Sequence, residues 1–144
     1  MSKTIIHEGH TLGTTIVTGS AKRIGSEIAA SLVSKGHQII VHYNKSKNEA
    51  LQLSYRLNNI KPNCSAIIKA DLSIEKEVIN LFKLAESKLG KVTCIINNAA
   101  NFQYDNITTI TDKTWSQHIQ PNLRAPLILA KEMKKNLQPR TKAN

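Results

Sequence analysis

The chain is expected to fold as a doubly wound α/β sheet, and three features of its sequence lead there. Four short β-branched or aliphatic stretches alternate with three longer ones in which apolar residues recur every three or four positions. A glycine or a polar capping residue stands at most of the junctions. The first strand-like stretch runs directly into a glycine and then a helix start, an arrangement that turns free backbone N–H groups and a positive dipole end toward an anion.

Thr14 to Thr18 is β-branched throughout, as suits a strand buried on both faces of a parallel sheet. Gly19 turns the chain. From there Ile24, Ile28 and Leu32, with Ala29 and Val33 beside them, mark one apolar face of a first helix, and Gly36 stops it. Gln38 to His42 is a second strand centred on Ile39, Ile40 and Val41. Ser46 and Glu49 have the spacing of a capping box, and the helix that follows runs through Ala50, Leu53 and Leu57 to about Asn58-Asn59, ahead of Pro62. Cys64 to Ala70 is a third strand. Ser73 is expected to cap a third helix, apolar at Ile74, Val78, Leu81, Phe82, Ala85 and Leu89 and closed by Gly90.

Val92 to Ile96 is the fourth strand, and a last helix is expected from about Lys113 to Lys135, with Trp115, Ile119, Leu123, Leu127 and Ala130 along it. Pro121 lies inside that helix. It removes the hydrogen bond to residue 117 and costs roughly 3 kcal/mol unless the helix is kinked there. Crossovers of this length are right-handed and join parallel strands, so the sheet is read as doubly wound and Rossmann-type, in the order 3-2-1-4.

With 144 residues, 40% of them hydrophobic, the chain can bury one core. A flexible leader over residues 1–12 and a single domain over 13–144 are expected. The net charge of +10 raises the prospect of nucleic acid. Against it, the cations are scattered, with no dense run longer than Lys134-Lys135, and aromatics make up only 4%, so stacking platforms are few. Cys64 and Cys94 fall on strands three spacings apart in this order, about 14 Å, too far for a disulfide. Free thiols, the lack of any helix-length apolar run at the amino end and the absence of metal-ligand spacing point to a cytoplasmic chain without a metal or a membrane span. His7 and His10 belong to the leader rather than to a metal site.

Ligands of such sheets bind at the carboxyl ends of the strands, where the sequence puts Gly19, Tyr43 to Ser46, Asp71 and Asn98. An NAD site usually carries an acid at the end of strand two. Here that position reads His42-Tyr43-Asn44-Lys45-Ser46, with Lys22 and Arg23 in the neighbouring loop, so a 2′-phosphate would meet cations and a hydroxyl. NADP is favoured over NAD.

These residues resemble the amino-terminal part of the short-chain dehydrogenase/reductase family, and most of all its pteridine-reductase-type members. Thr18-Gly19-Ser20-Ala21-Lys22-Arg23-Ile24-Gly25 is similar to the family's cofactor motif, and His42 to Ser46 to its 2′-phosphate segment. Asp71-Leu72 matches the residues beside the adenine. Asn97-Asn98-Ala99-Ala100 resembles the Asn-Asn-Ala-Gly motif, with alanine in the last place, and Asn122-Leu-Arg-Ala-Pro126 the segment holding the tetrad asparagine. The resemblance implies an NADP-dependent oxidoreductase acting on a small carbonyl or pterin-like substrate. Cofactor contacts would come from Gly19, Ser20, Arg23, Ile24, Gly25, Tyr43, Asn44, Lys45, Ser46, Asp71, Leu72, Asn98 and Ala99, and Asn122 is the one catalytic position present.

The family's serine and Tyr-x-x-x-Lys have no counterpart in this stretch. Tyr43 and Lys47 have the literal spacing but flank a turn at the adenosine end of the site. The resemblance therefore implies the cofactor half, an NADP-binding Rossmann domain over 13–144 with about four strands, truncated before the family's fifth strand and inactive alone. The alternative is a non-catalytic dinucleotide-binding module or one half of a split enzyme completed by a separate polypeptide; where stable, a homo-oligomer is expected.

Overall fold

The computed structural model describes residues 12–137, so nearly all of the leader expected over residues 1–12 lies outside it. Four parallel strands form one sheet in the order β3-β2-β1-β4, as expected from the crossovers. They are β1 (Thr14–Val17), β2 (Gln38–Tyr43), β3 (Ser65–Lys69) and β4 (Val92–Ile96). Between them run α1 (Arg23–Ser34), α2 (Lys47–Ile60) and α3 (Glu75–Leu89), and after β4 come α4 (Asp112–Ile119) and α5 (Ala125–Leu137). Cys64 and Cys94 are free thiols.

Alternation along the strands divides the core in two. Ile16, Ile40 and Ile68 face α3 and α5, where they meet Val78, Leu81, Phe82, Ala125 and Leu129. Val17, Ile39 and Val41 face α1 and α2, against Ala29, Val33, Ala50, Leu53 and Leu57. Each large aliphatic or aromatic side chain buried this way contributes about 1.5–3 kcal/mol. Because every pairing in the sheet is parallel, all four carboxyl ends lie on one side.

Four local expectations are corrected. Ile24 does not join the apolar face of α1, whose buried residues are Gly25, Ala29 and Val33; it stands at the first turn, 72% exposed. The Ser46 and Glu49 capping box does not form, because the Glu49 carboxylate is drawn to the Lys22 ammonium at 2.6 Å and Ser46 makes no capping bond. Ser73 does not cap α3, whose N-cap is Ile74; its hydroxyl donates instead to Asp71 Oδ1 at 2.6 Å. A true reciprocal cap occurs at α4, where Thr111 Oγ1 accepts the Thr114 N–H and Thr114 Oγ1 accepts the Thr111 N–H.

The fourth correction concerns the long last helix, which is two helices joined by a π-helical segment, Gln120–Arg124. Pro121 has no N–H to give the Gln117 carbonyl, and the chain widens so that the Ala125 N–H reaches back to Gln120 O. The freed Gln117 carbonyl accepts from Asn101 Nδ2 at 3.0 Å. The wider turn also shifts the helix register: Ala125 and Leu129 are buried, while Trp115, Leu123, Leu127 and Ala130 are exposed.

Candidate functional site

A cleft of about 820 Å³ opens across the carboxyl ends of the strands. Its floor is the turn from β1 to α1. Gly19 has φ +63°, and a Cβ there would lie 2.9 Å from both Cα and Cβ of Ala99. A Cβ on Gly25 would lie 2.6 Å from Asn98 Nδ2 and 2.7 Å from the Ser20 Cα. Both glycines are thus required by close packing of turn, helix and the end of β4. Arg23, at the helix start, also holds a left-handed φ of 55°, a strain of about 1–2 kcal/mol that places it on the cleft wall.

Hydrogen bonds tie this turn to the strands on either side. Thr18 Oγ1 accepts the N–H groups of Asn98 and Ala99, both at 3.0 Å. Asn98 Nδ2 donates back to the carbonyls of Thr18 and Gly19, at 2.9 and 3.1 Å. Across β2, the Gly19 N–H donates to His42 Nδ1 at 2.9 Å and the Ser20 N–H to the His42 carbonyl at 3.1 Å. Burial pushes the His42 pKa below its ordinary value, against the opposing pull of the Ala70 carbonyl and Asp71. Ser20 is fully buried, and its hydroxyl is left without a hydrogen-bond partner among the described residues.

Asn44, Lys45 and Ser46 follow β2 and line the cleft together with Lys22 and Arg23. Lys22 pairs with Glu49, and that hydrogen bond holds the exposed Glu49 carboxyl below its ordinary pKa. Asp71 stands two residues beyond β3; its carboxyl pKa is lowered chiefly by the Ser73 hydroxyl and N–H, then by Asn44 and the Lys45 charge. The Asp71 N–H donates to Glu77 of α3 at 2.6 Å. Asn101, Gln103, Gln117 and Pro121 line the far end of the cleft.

Most residues expected at a cofactor site therefore share one wall: Gly19, Arg23, Ile24, Gly25, Tyr43, Asn44, Lys45, Ser46, Asp71, Leu72, Asn98 and Ala99. Ser20 and Asn122 do not line it. Ser20 lies beneath the turn. Asn122 Oδ1 accepts the Asn101 N–H and its Nδ2 donates to the Asn101 carbonyl, both at 2.7 Å, so its amide is used in holding the segment after β4. Thr18 and the ring of His42 were not singled out. Their signal was a polar residue closing an otherwise apolar strand.

A glycine turn, a helix start and cations around the end of β2 suit a pyrophosphate and an additional phosphate. The residues fit a dinucleotide: the close-packed glycines bare the backbone, and the buried Ser20 hydroxyl lacks a partner. Fold and site together define a dinucleotide-binding α/β domain. Among the described residues no group of three or more His, Cys, Asp or Glu side chains is placed to hold a metal, and no helix is long and apolar enough to cross a membrane.

The family model for short chain dehydrogenases matches residues 13–144, and the chain belongs to that family. A short-chain type dehydrogenase/reductase of Picea abies is 28% identical over 129 residues, covering 85% of this chain and 48% of that protein. Pteridine reductase 1 of Leishmania tarentolae is 43% identical over 58 residues, 40% of this chain and 20% of its own. Among solved structures, the FolM alternative dihydrofolate reductase 1 of Brucella suis, in complex with NADP, superposes with a TM-score of 0.81 at 32% identity, covering 91% of this chain and 53% of that one. The chain spans about half the length of the full-chain relatives it matches.

Proposed function

We propose that this chain binds NADP and carries the cofactor half of a short-chain oxidoreductase that acts on a small carbonyl or pterin-like substrate. The observation that carries the choice of NADP is the end of β2, where Lys45 and Ser46, lining the cleft together with Lys22 and Arg23, stand where an NAD site usually has an acid. The solved NADP complex of a similar reductase supports it. When bound, the cofactor supplies the hydride chemistry. The chain's own residues bind and orient: the amides of the turn and the Arg23 guanidinium face the pyrophosphate, and Asn44, Lys45 and Ser46 hold the 2′-phosphate. Asp71 and Leu72 border the adenine, and Asn98 and Ala99 the middle of the cofactor. Asn122 positions the segment after β4, the wall nearest the substrate.

The 144-residue chain by itself is expected to bind dinucleotide without turning it over. A second reading, one half of a split enzyme, is favoured by the outer edge of β4, which pairs with no strand among the described residues, and by the exposed Trp115, Leu123 and Leu127. Calorimetric titration with NADP⁺ and NAD⁺ tests the assignment. NADP⁺ should bind about tenfold or more tightly, and Lys45→Ala should erode that preference while leaving NAD⁺ unchanged. Equal affinity for the two dinucleotides in the unmodified chain would refute it.

A further inference from the structure

We propose that His42 is a positioning residue that pins the anion-binding turn to the sheet, and that dinucleotide affinity falls when its ring takes up a second proton. The proposal rests on the dinucleotide reading for its ligand and not for its geometry.

His42 is buried, next to the last residue of β2, and its ring bridges the strands on both sides. Nδ1 lies 2.9 Å from the Gly19 nitrogen and Nε2 lies 3.0 Å from the Ala70 carbonyl oxygen. The amide can only donate and the carbonyl can only accept. One arrangement satisfies both: the proton sits on Nε2 and Nδ1 is bare. The His42 carbonyl takes the next amide of the turn, that of Ser20. A single residue thus occupies the first two N–H groups after Thr18, leaving the backbone from Ala21 to Gly25, which lines the cleft, to meet an anion.

A proton on Nδ1 would set an N–H against the Gly19 N–H. The attraction becomes a repulsion, and Gly19 cannot move away easily, because Ala99 packs against its Cα side. The charged residues on the segments that adjoin the ring's two partners are Lys22 and Arg23 in the turn, Lys45 after β2, Lys69 closing β3, Asp71 after it, and Glu75 and Glu77 in the first turn of α3. β1 contributes none. Asp71 is the group whose charge reaches the ring, and burial outweighs it. Because the folded pKa lies below the ordinary value of about 6.5, the contribution is complete above that pH and is lost as pH falls through the folded value.

The test uses NADP⁺, which survives acid, titrated calorimetrically into the chain and into His42→Asn. The Asn Oδ1 can take the place of Nδ1 as acceptor but does not titrate. The 2′-phosphate itself gains a proton near about pH 6, so both chains lose some affinity. The unmodified chain should lose about threefold or more beyond His42→Asn between about pH 7.5 and 4.5, and the extra loss should set in only below about pH 6.5, because burial holds the His42 pKa down. Superimposable profiles would overturn the proposal.

Nuclear magnetic resonance on the unmodified chain reads the same geometry without ligand or variant. Nitrogen shifts of the ring should show the proton on Nε2 at neutral pH, and exchange of the Gly19 amide should rise as His42 protonates. A proton on Nδ1, or a Gly19 amide indifferent to the titration, would overturn it. If that pattern holds while NADP⁺ fails to bind, the dinucleotide reading falls and the role of His42 in holding the turn stands.

Discussion

At the glycine-turn end of the cleft the groups that shape the backbone are tied to a neighbouring strand by Thr18, His42 and Asn98, through bonds of 2.9 to 3.1 Å in part-buried or buried surroundings. The opposite end is held differently. There the segment after β4 is clamped by the exposed Asn122 amide, and Phe102, Tyr104 and Ile107 stand 78%, 92% and 95% exposed. His118 and Asp105 approach to 3.7 Å, and neither Nε2 nor Oδ2 has a hydrogen-bond partner among the described residues. A buried polar group left without its partner costs about 1–3 kcal/mol, whereas a surface bond lost to water costs less. The turn end is therefore held mainly by bonds made away from the surface, whereas the far end combines exposed contacts with the unpartnered His118 and Asp105 atoms.

Substitutions at the two ends should differ accordingly. The largest effect is expected for Gly25→Ala, whose methyl group would press on Asn98 Nδ2 and on the backbone of Ser20 and Gly19. A loss of about 3 kcal/mol in urea denaturation is expected, together with loss of dinucleotide binding. A fully stable Gly25→Ala chain would show that the turn end is not close-packed. At the far end, Asn101→Ala removes the amide that serves the Gln117 carbonyl, and about 1 kcal/mol is expected. Hydrogen exchange should then quicken from Gln117 to Ala125, while the Gly19 amide stays protected. Equal quickening at Gly19 would mean that the two ends are one cooperative unit, and the contrast would fail.

The sheet was legible because parallel strands buried on both faces read as unbroken β-branched or aliphatic runs, as at Thr14–Val17 and at Ile39, Ile40 and Val41 in β2. The cofactor wall was legible for a related reason: at the carboxyl end of each strand the pattern breaks into glycine, amide or charge. Side-chain choices that depend on a distant partner were not legible. Ser46 and Glu49 have capping-box spacing, yet Lys22, far off in sequence, takes the carboxylate. Pro121 announced a defect without specifying its remedy, which comes from Asn101 in the segment after β4. His42 looked like one letter of a phosphate-binding segment. Only the placement of Gly19 and Ala70 on either side of its ring gives it a separate task.

The central claim is that a preorganised glycine turn and the cations after β2 together hold a dinucleotide carrying an extra phosphate. The most direct measurement is the amide spectrum of the chain titrated with NADP⁺. Saturable shifts at Gly19, Arg23 to Gly25 and Asn44 to Ser46, with little change from Phe102 to Ile110, are the predicted result. Shifts confined to the Phe102 to Ile110 segment, or a spectrum unchanged at saturating NADP⁺, would contradict it.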